Sequence, residues 1–465
     1  MLEVTTQIPP ELDPGFLPAA LWQRAYTKLV SQSGSPRQVA IAITQPGGIG
    51  STYQTEIFPP EAEQEALNLK HLERTLKFLL WQQGGNQVAI AGCDELTHQL
   101  SALYQKDGAR AFDAGFLGHQ VNRQPLQIKA VSWDDLPKPQ DKQVPLGRHM
   151  DGCRIGFDLG GSDRKCAAVI DGEVVFSTEI VWDPYFQSDP DYHFQEINDI
   201  LEKAAAHLPR VDAIGGSSAG IYVNNEVRAA SLFRGIAPEQ FEKRIRPIFA
   251  DLQKKWGNIP FEVVNDGEVT ALAGSLSLQT GAVLGIAMGT SEAVGYITPD
   301  GSITPHINEL AFAPIDYRDQ APVDEWSGDQ GCGVQYLSQQ AVTRLVPASG
   351  LAIPSEMPFA EQLVAVQEAM AQGDERAARI YRTLGSYLGY AIAHYAHFYE
   401  IKKVLLLGRV TSGDGGELLR EVANKVLATD FPELAQSLEI VSPSERDKRH
   451  GQAVAAASLP KLNPS

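Results

Sequence analysis

Apolar residues along this chain fall in short runs that alternate with longer stretches of helical spacing. In the first 150 residues Val39-Ala-Ile-Ala-Ile43, Val88-Ala-Ile-Ala91 and Gln127-Ile-Lys-Ala-Val131 read as strands. Residues 61–82, with Leu67, Leu72, Leu76 and Phe78 at apolar positions, read as a helix, and so do 95–105. Pro46-Gly-Gly-Ile-Gly50 is a loop. Further on, Ile155-Gly-Phe-Asp-Leu159, Cys166-Ala-Ala-Val-Ile170 and Val174-Val-Phe176 predict two successive hairpins, turning at Gly160-Gly161 and at Asp171-Gly172. Strands are predicted again at 211–214, 261–264, 283–287 and 403–407. Helices are predicted at 194–207, 238–256, 267–278, 377–399 and 417–427. Strands interleaved with helices predict an α/β fold, its sheets covered by helices.

A polar, proline-containing stretch, Asp134-Asp-Leu-Pro-Lys-Pro-Gln-Asp-Lys-Gln-Val-Pro145, reads as a linker. It sets off residues 1–150 as an α/β domain of unassigned role. The size, 465 residues with 43% hydrophobic content, allows more than one core. A net charge of −18 argues against a nucleic-acid partner, because phosphate backbones require basic faces. The first 150 residues carry 13 basic against 15 acidic side chains, unlike a DNA-reading head. No apolar run approaches the ~20 residues that span a bilayer. Met1-Leu-Glu-Val-Thr-Thr6 lacks the basic-then-apolar order of a secretory signal. Four scattered cysteines, Cys93, Cys153, Cys166 and Cys332, form no disulfide framework. These features predict a cytoplasmic protein without a membrane partner.

Four segments carry candidate chemistry. Ile155-Gly-Phe-Asp-Leu-Gly-Gly-Ser-Asp-Arg-Lys165 turns without side chains at its tip, so backbone N–H groups can close on an anion, and Asp158 can face a metal ion held by it. Phe261-Glu-Val-Val-Asn-Asp-Gly-Glu268 ends a buried strand in Asn265-Asp266 ahead of a helix. An acid there lies at the carboxyl end of a sheet, where ligand crevices open, and is placed to accept a hydroxyl proton. Capping the helix is the other reading of Asp266. Gly285-Ile-Ala-Met-Gly-Thr-Ser-Glu-Ala-Val-Gly295 repeats the pattern of the first hairpin. Leu405-Leu-Leu-Gly-Arg-Val-Thr-Ser-Gly-Asp-Gly-Gly416 runs from a buried strand into a glycine-rich loop ahead of a helix, which can point its N-terminus at phosphates.

In order and spacing these segments resemble the phosphate-1, catalytic, phosphate-2 and adenosine segments of the actin-like ATPase superfamily. Within it the chain is similar to the ROK (repressor–ORF–kinase) sugar kinases over residues 154–459. The resemblance implies two actin-like ATPase (ribonuclease H-like) lobes around a cleft, residues 151–275 and 276–465, behind the extra front domain. It implies ATP-dependent phosphorylation of a sugar hydroxyl with Mg²⁺. Asp158 then helps position Mg²⁺, and Gly160, Gly161, Ser162 and Lys165 hold the transferring phosphate. Asp266 is the general base. Asn265, Glu309 of Asn308-Glu-Leu-Ala-Phe312, and Ser218 and Gly220 of Ile214-Gly-Gly-Ser-Ser-Ala-Gly-Ile221 bind the sugar. Gly289, Thr290 and Ser291 hold nucleotide phosphates, with Gly408 and Thr411 near the adenosine. The tail His450-Gly-Gln-Ala-Val-Ala-Ala-Ala457 is similar to the family's final small-residue helix.

The departures are specific. A histidine usually stands three residues after the glutamate, where this chain has Phe312. The zinc loop C-x-C-G-x-x-G-C becomes Glu325-Trp-Ser-Gly-Asp-Gln-Gly-Cys332, so no zinc is expected, with Cys332 packing as a small apolar residue. Arg409 replaces a usual glycine, and Gly267-Glu268 a usual Ala-Asn. These changes leave open a second reading, a weakly active or inactive ROK-like protein that binds sugar or nucleotide and regulates. A ROK-type repressor requires a basic helix-turn-helix in front, which a near-neutral α/β segment does not supply. For the front domain a lid and a homodimer-forming role both stand. A decayed copy of a half-domain is a third reading, because Pro46-Gly-Gly-Ile-Gly-Ser51 resembles the first hairpin without its aspartate. His394 and His397 read as packing residues, and Asp183 and Tyr185 as turn residues within reach of a site.

Overall fold

The computed structural model describes residues 2–60, 64–139, 146–442 and 445–462. Packing divides the chain into two compact units, each discontinuous in sequence. One comprises Met1–Gln143, Ile286–Val294 and Pro305–Ile440; the other comprises Val144–Gly285, Gly295–Thr304 and Val441–Ser465.

The first unit opens with helix α1 (Ala19–Gln32), which lies outside the predicted elements although Ala19, Trp22, Tyr26 and Val30 recur at helical spacing and are buried together. Strands β1 (Arg37–Thr44) and β2 (Gly50–Ile57) form a hairpin, and β3 (Gln87–Ala91) and β4 (Gln127–Val131) complete a sheet of order β2-β1-β3-β4. Strand β1 is antiparallel to both neighbours, and β4 is parallel to β3. Helix α2 (Glu65–Gln83) closes on Gly84 in the left-handed conformation, φ 78°. It is the predicted 61–82 helix, of which 61–63 lie outside the described residues. Residues 140–145 of the expected linker also lie outside them.

In the second unit β5 (Cys153–Leu159), β6 (Asp163–Ile170), β7 (Glu173–Val181) and β8 (Ala213–Ser218) follow the predicted hairpins and strand. A small pair, β9 (Ile221–Val223) and β10 (Glu226–Ala229), precedes β11 (Phe261–Asn265). The main sheet has the order β11-β8-β5-β6-β7, with β5, β8 and β11 parallel and β6 antiparallel to β5 and β7. In this sheet β8 runs parallel to β5, whereas β3 runs antiparallel to β1. The front order β2-β1-β3-β4 matches β6-β5-β8-β11 of this sheet in connectivity, with β3 and β4 reversed in direction relative to the hairpin. Strand β5 is buried along its whole length. The last helix, Glu445–Ala457, lies on it through small residues. A Cβ at Gly156 or Gly215 would overlap the carbonyls of Ala453 or Ala456. The predicted helix over 238–256 is broken into Pro238–Gln240, a π-helical turn Phe241–Ile245 and Ile248–Lys255. Pro247 has no N–H to continue it.

The remaining sheet, of order β13-β12-β14-β15, contains β12 (Val283–Met288), β13 (Glu292–Ile297), β14 (Lys403–Leu407) and β15 (Glu439–Val441). In the first unit the helices Glu375–Tyr395 and Gly413–Asp430 pack closely. A Cβ at Gly389 would lie 2.6 Å from Val426 Cβ. The helices Gln339–Ser349 and Phe359–Ala371 are additional to those expected. Among the described residues no helix is long and apolar enough to cross a membrane.

Candidate active site

In the second unit, β5 and β6 meet in a turn at Gly160-Gly161-Ser162, where Gly160 N–H donates to Asp163 O at 2.9 Å. Trp182 clamps the turn, Nε1 to Gly160 O at 2.8 Å and N to Ser162 O at 3.1 Å. The Tyr185 ring lies on Gly161 so closely that a Cβ there would overlap its hydroxyl. Arg234 stacks on that ring, 4.0 Å from its centroid. Tyr185 thus reaches the turn itself, which the sequence left between a turn role and a site role.

Asp158, 7% exposed, stands opposite Lys165 on β6 and Ser217 on β8. Ser217 Oγ donates to its Oδ1 at 2.7 Å. Burial pushes the Asp158 carboxyl up to about 6, and the charge of Asp266 adds to the shift. Lys165 Nζ lies 3.3 Å from Asp163 Oδ1 and favours the ionised form of Asp158. Asp266 opens the helix Asp266–Leu278 at the end of β11 and is partly exposed. Burial raises its carboxyl above the ordinary range. The capping bond comes from its neighbour: Asn265 Oδ1 accepts from Gly267 N–H at 2.7 Å, and Asp266 Oδ1 takes a longer contact, 3.0 Å, from the same donor. Asn265 Nδ2 donates to Gly220 O at 2.7 Å. Ser218 is fully buried and its hydroxyl accepts from Tyr222 at 2.7 Å, so it faces the core.

The first unit carries the other candidates. Thr290 and Ser291 are exposed at the turn between β12 and β13, which Gly289 closes by donating to Ser291 O at 3.0 Å. Gly408, φ 91°, ends β14 so close to Met288 that a Cβ would overlap the Met288 carbonyl. Only glycine lets the two turns approach in this way. Thr411 Oγ donates to Gly408 O at 2.9 Å, and Arg409 is exposed. Glu309 is partly exposed and follows Asn308, whose φ is 46°. Glu292, one residue past Ser291, is absent from the sequence expectations. It is 3% exposed, Tyr395 donates to its Oε1 at 2.9 Å, and its Oε2 has no partner. Burial pushes it up to about 8, with the charge of Glu309 adding to the shift.

The family model for the ROK family matches residues 154–460. The chain belongs to the ROK family. Among solved structures, the ROK hexokinase from Thermus thermophilus aligns with a TM-score of 0.52 and 17% identity, covering 66% of this chain and 96% of that one. A ROK family transcriptional regulator, a homologue of the E. coli MLC protein, aligns at 0.53 and 22%, covering 67% and 79%. No curated protein matches in sequence. The ROK assignment, with these neighbours, makes the fold actin-like ATPase, preceded by the front region.

Two ROK positions are remodelled. Phe312 is buried in an aromatic nest, with ring centroids 4.4 Å from Trp81, 5.5 Å from Trp326 and 6.0 Å from Phe112. At the zinc-loop position the donor set does not fit zinc. Cys332 is fully buried, and its thiol, pushed up to about 12 by burial, lies 3.9 Å from Asp329 Oδ2. Asp329 is already paired with Lys77 at 3.0 Å, Arg74 at 3.4 Å and Arg110. Three cations on the carboxylate next to that thiol oppose a dication that needs thiolates. Magnesium is a different case. The charge of Asp266 acts on Asp158, so the two carboxylates lie within electrostatic reach and offer the oxygen donors that a hard cation takes. Among the described residues, however, no group of three or more His, Cys, Asp or Glu is placed to hold a metal ion.

Proposed function

We propose that the protein is an ATP-dependent sugar kinase. The observation that carries the reading is the pair Asp158 and Asp266, set at the ends of parallel strands beside a glycine turn, with the capping bond of the following helix made by Asn265. The Gly160-Gly161-Ser162 turn, Lys165, and the turns at Gly289-Thr290-Ser291 and Gly408–Thr411 would bind the phosphates and adenosine of ATP. Asp158 would hold Mg²⁺ directly or through water; when bound, that ion supplies charge neutralisation to the transferring phosphate.

Asp266 accepts the proton of the attacking sugar hydroxyl. Its raised proton affinity suits a base that acts late, as the O–P bond forms. Asn265, fixed to Gly220 O, keeps the strand end rigid while Asp266 works. Glu309 orients further sugar hydroxyls, whereas Phe312 is packed among Trp81, Trp326 and Phe112 and leaves that position without a hydrogen-bonding ring. ATP turnover across a panel of hexoses and N-acetylhexosamines tests the reading, with Asp266→Asn as control. We expect a sugar-dependent rate that falls ~10²–10⁴-fold in the variant. A rate that survives the substitution removes Asp266 as the base. The buried Phe312 favours one second reading, a sugar-binding regulator without turnover. Sugar binding by calorimetry in the absence of any ATP consumption would establish it.

A further inference from the structure

The front region takes no part in the chemistry above, yet its helix α2 ends on the loop that carries Glu309. A helix leaves its last carbonyls without intrahelical donors. Trp81 O accepts from Glu309 N–H and Gln82 O from Asn308 N–H, each at 3.0 Å. Gln83 O accepts from Gln45 Nε2 at 2.5 Å, and the same side chain holds Pro305 O at 2.9 Å. Ile307 packs on the left-handed Gly84: a Cβ there would come 2.5 Å from Ile307 Cγ2. Asn308 itself is left-handed, an uncommon state for a residue with a side chain, and Tyr399 fixes it by donating to Oδ1 at 2.6 Å. Three successive residues, 307 to 309, thus take their positions from the end of α2.

One turn earlier the same helix fastens the neighbouring loop. Lys77 is fully buried, its Nζ 2.8 Å from Asp113 Oδ2 and 3.0 Å from Asp329 Oδ2. Arg74 pairs with Glu73 at 2.5 Å and with Asp329, and Arg110 pairs with Glu73 at 2.5 Å and with Asp329. Asp329 belongs to the segment that ends in Cys332, where the donor set rejects zinc. Ammonium and guanidinium groups from the front region supply the positive charge at that place.

We propose that α2 is a positioning element of the acceptor site. Its C-terminal carbonyls and Gly84 set the backbone of residues 307–309, and Lys77 and Arg74 anchor the 323–332 loop through Asp329. The proposal rests on reading Glu309 as a sugar-binding residue. The front region is then a standing part of substrate recognition.

Gly84→Ala forces a methyl against Ile307 and strains a left-handed backbone, and Ile307→Ala in the same chain relieves the first of these. With the best substrate among glucose, mannose, fructose and N-acetylglucosamine, Gly84→Ala raises the sugar KM about tenfold, while kcat and the ATP KM hold within about twofold. The double variant returns the sugar KM toward wild type, which a mere loss of stability would not produce. An unchanged sugar KM in a folded Gly84→Ala chain overturns the proposal. Should the wild-type chain phosphorylate none of these sugars, the kinase reading falls, and amide exchange decides the positioning claim. The Asn308 and Glu309 amides then exchange about tenfold faster in Gly84→Ala than in wild type, and equal rates refute it.

Discussion

Asp158 gives the sharpest test at the scale of one side chain. Its carboxyl is raised to about 6 by burial, so the folded state holds that proton more tightly than the unfolded chain does. Stability from this group is therefore present below the unfolded value and lost as pH rises through about 6. Asp158→Asn keeps an acceptor for Ser217 and carries no charge. Without Mg²⁺, the variant should match wild type near pH 4 and exceed its unfolding free energy at pH 7.5 by up to about 3 kcal/mol. Urea unfolding at the two pH values measures this, and a pH-independent difference contradicts it. Asp158 and its glycine turn were legible in the sequence because a buried acid followed by paired glycines has few other uses. Glu292 was not, and Tyr185 only as a turn residue within reach of a site. Glu292 follows a recognised turn, but only the Tyr395 hydroxyl and its unpartnered oxygen mark it, and Tyr185 gains meaning from lying on Gly161.

At the scale of elements, periodicity located strands well where both faces are buried, as in β5 and β14, and failed where spacing was masked. Helix α1 mixes Trp22 and Tyr26 with polar neighbours, and Pro247 broke a helix whose apolar spacing continues past it. Apolar spacing says nothing of the charged residues of α2, and Glu73, Arg74 and Lys77 are buried there. Their meaning depends on acids far along the chain. Lys77→Met leaves Asp113 and Asp329 facing each other without their ammonium, a change expected to cost about 3–5 kcal/mol. Adding Asp113→Asn removes one stranded charge, so the double variant should recover part of that loss. Chemical denaturation of both variants checks the order, and equal stabilities would show that the lattice is not coupled.

For the whole molecule, the sequence resemblance located the ROK portion but was silent on how the first 143 residues pack. They share one compact unit with 305–440. The Thermus hexokinase is matched over 96% of its length by 66% of this chain, so the family fold stands without such a region elsewhere. Here the region has become structural. Deleting it would strip Phe312 of the Trp81 and Phe112 rings, take the carbonyl partners from Asn308 and Glu309, and leave Asp329 without Lys77, Arg74 and Arg110. Uncompensated buried charge and opened aromatic surface act in the same direction. A chain of residues 146–465 should therefore be recovered as aggregate or as an expanded state with dye-accessible apolar surface, measured by size exclusion and dye binding beside the full chain. Co-expression of residues 1–143 as a separate polypeptide should restore a compact, soluble complex, because the contacts that hold it are side-chain and backbone bonds that need no covalent link. A monodisperse 146–465 chain with a cooperative unfolding transition would instead make the front region an accessory, and the positioning of Glu309 would then belong to the ROK fold alone.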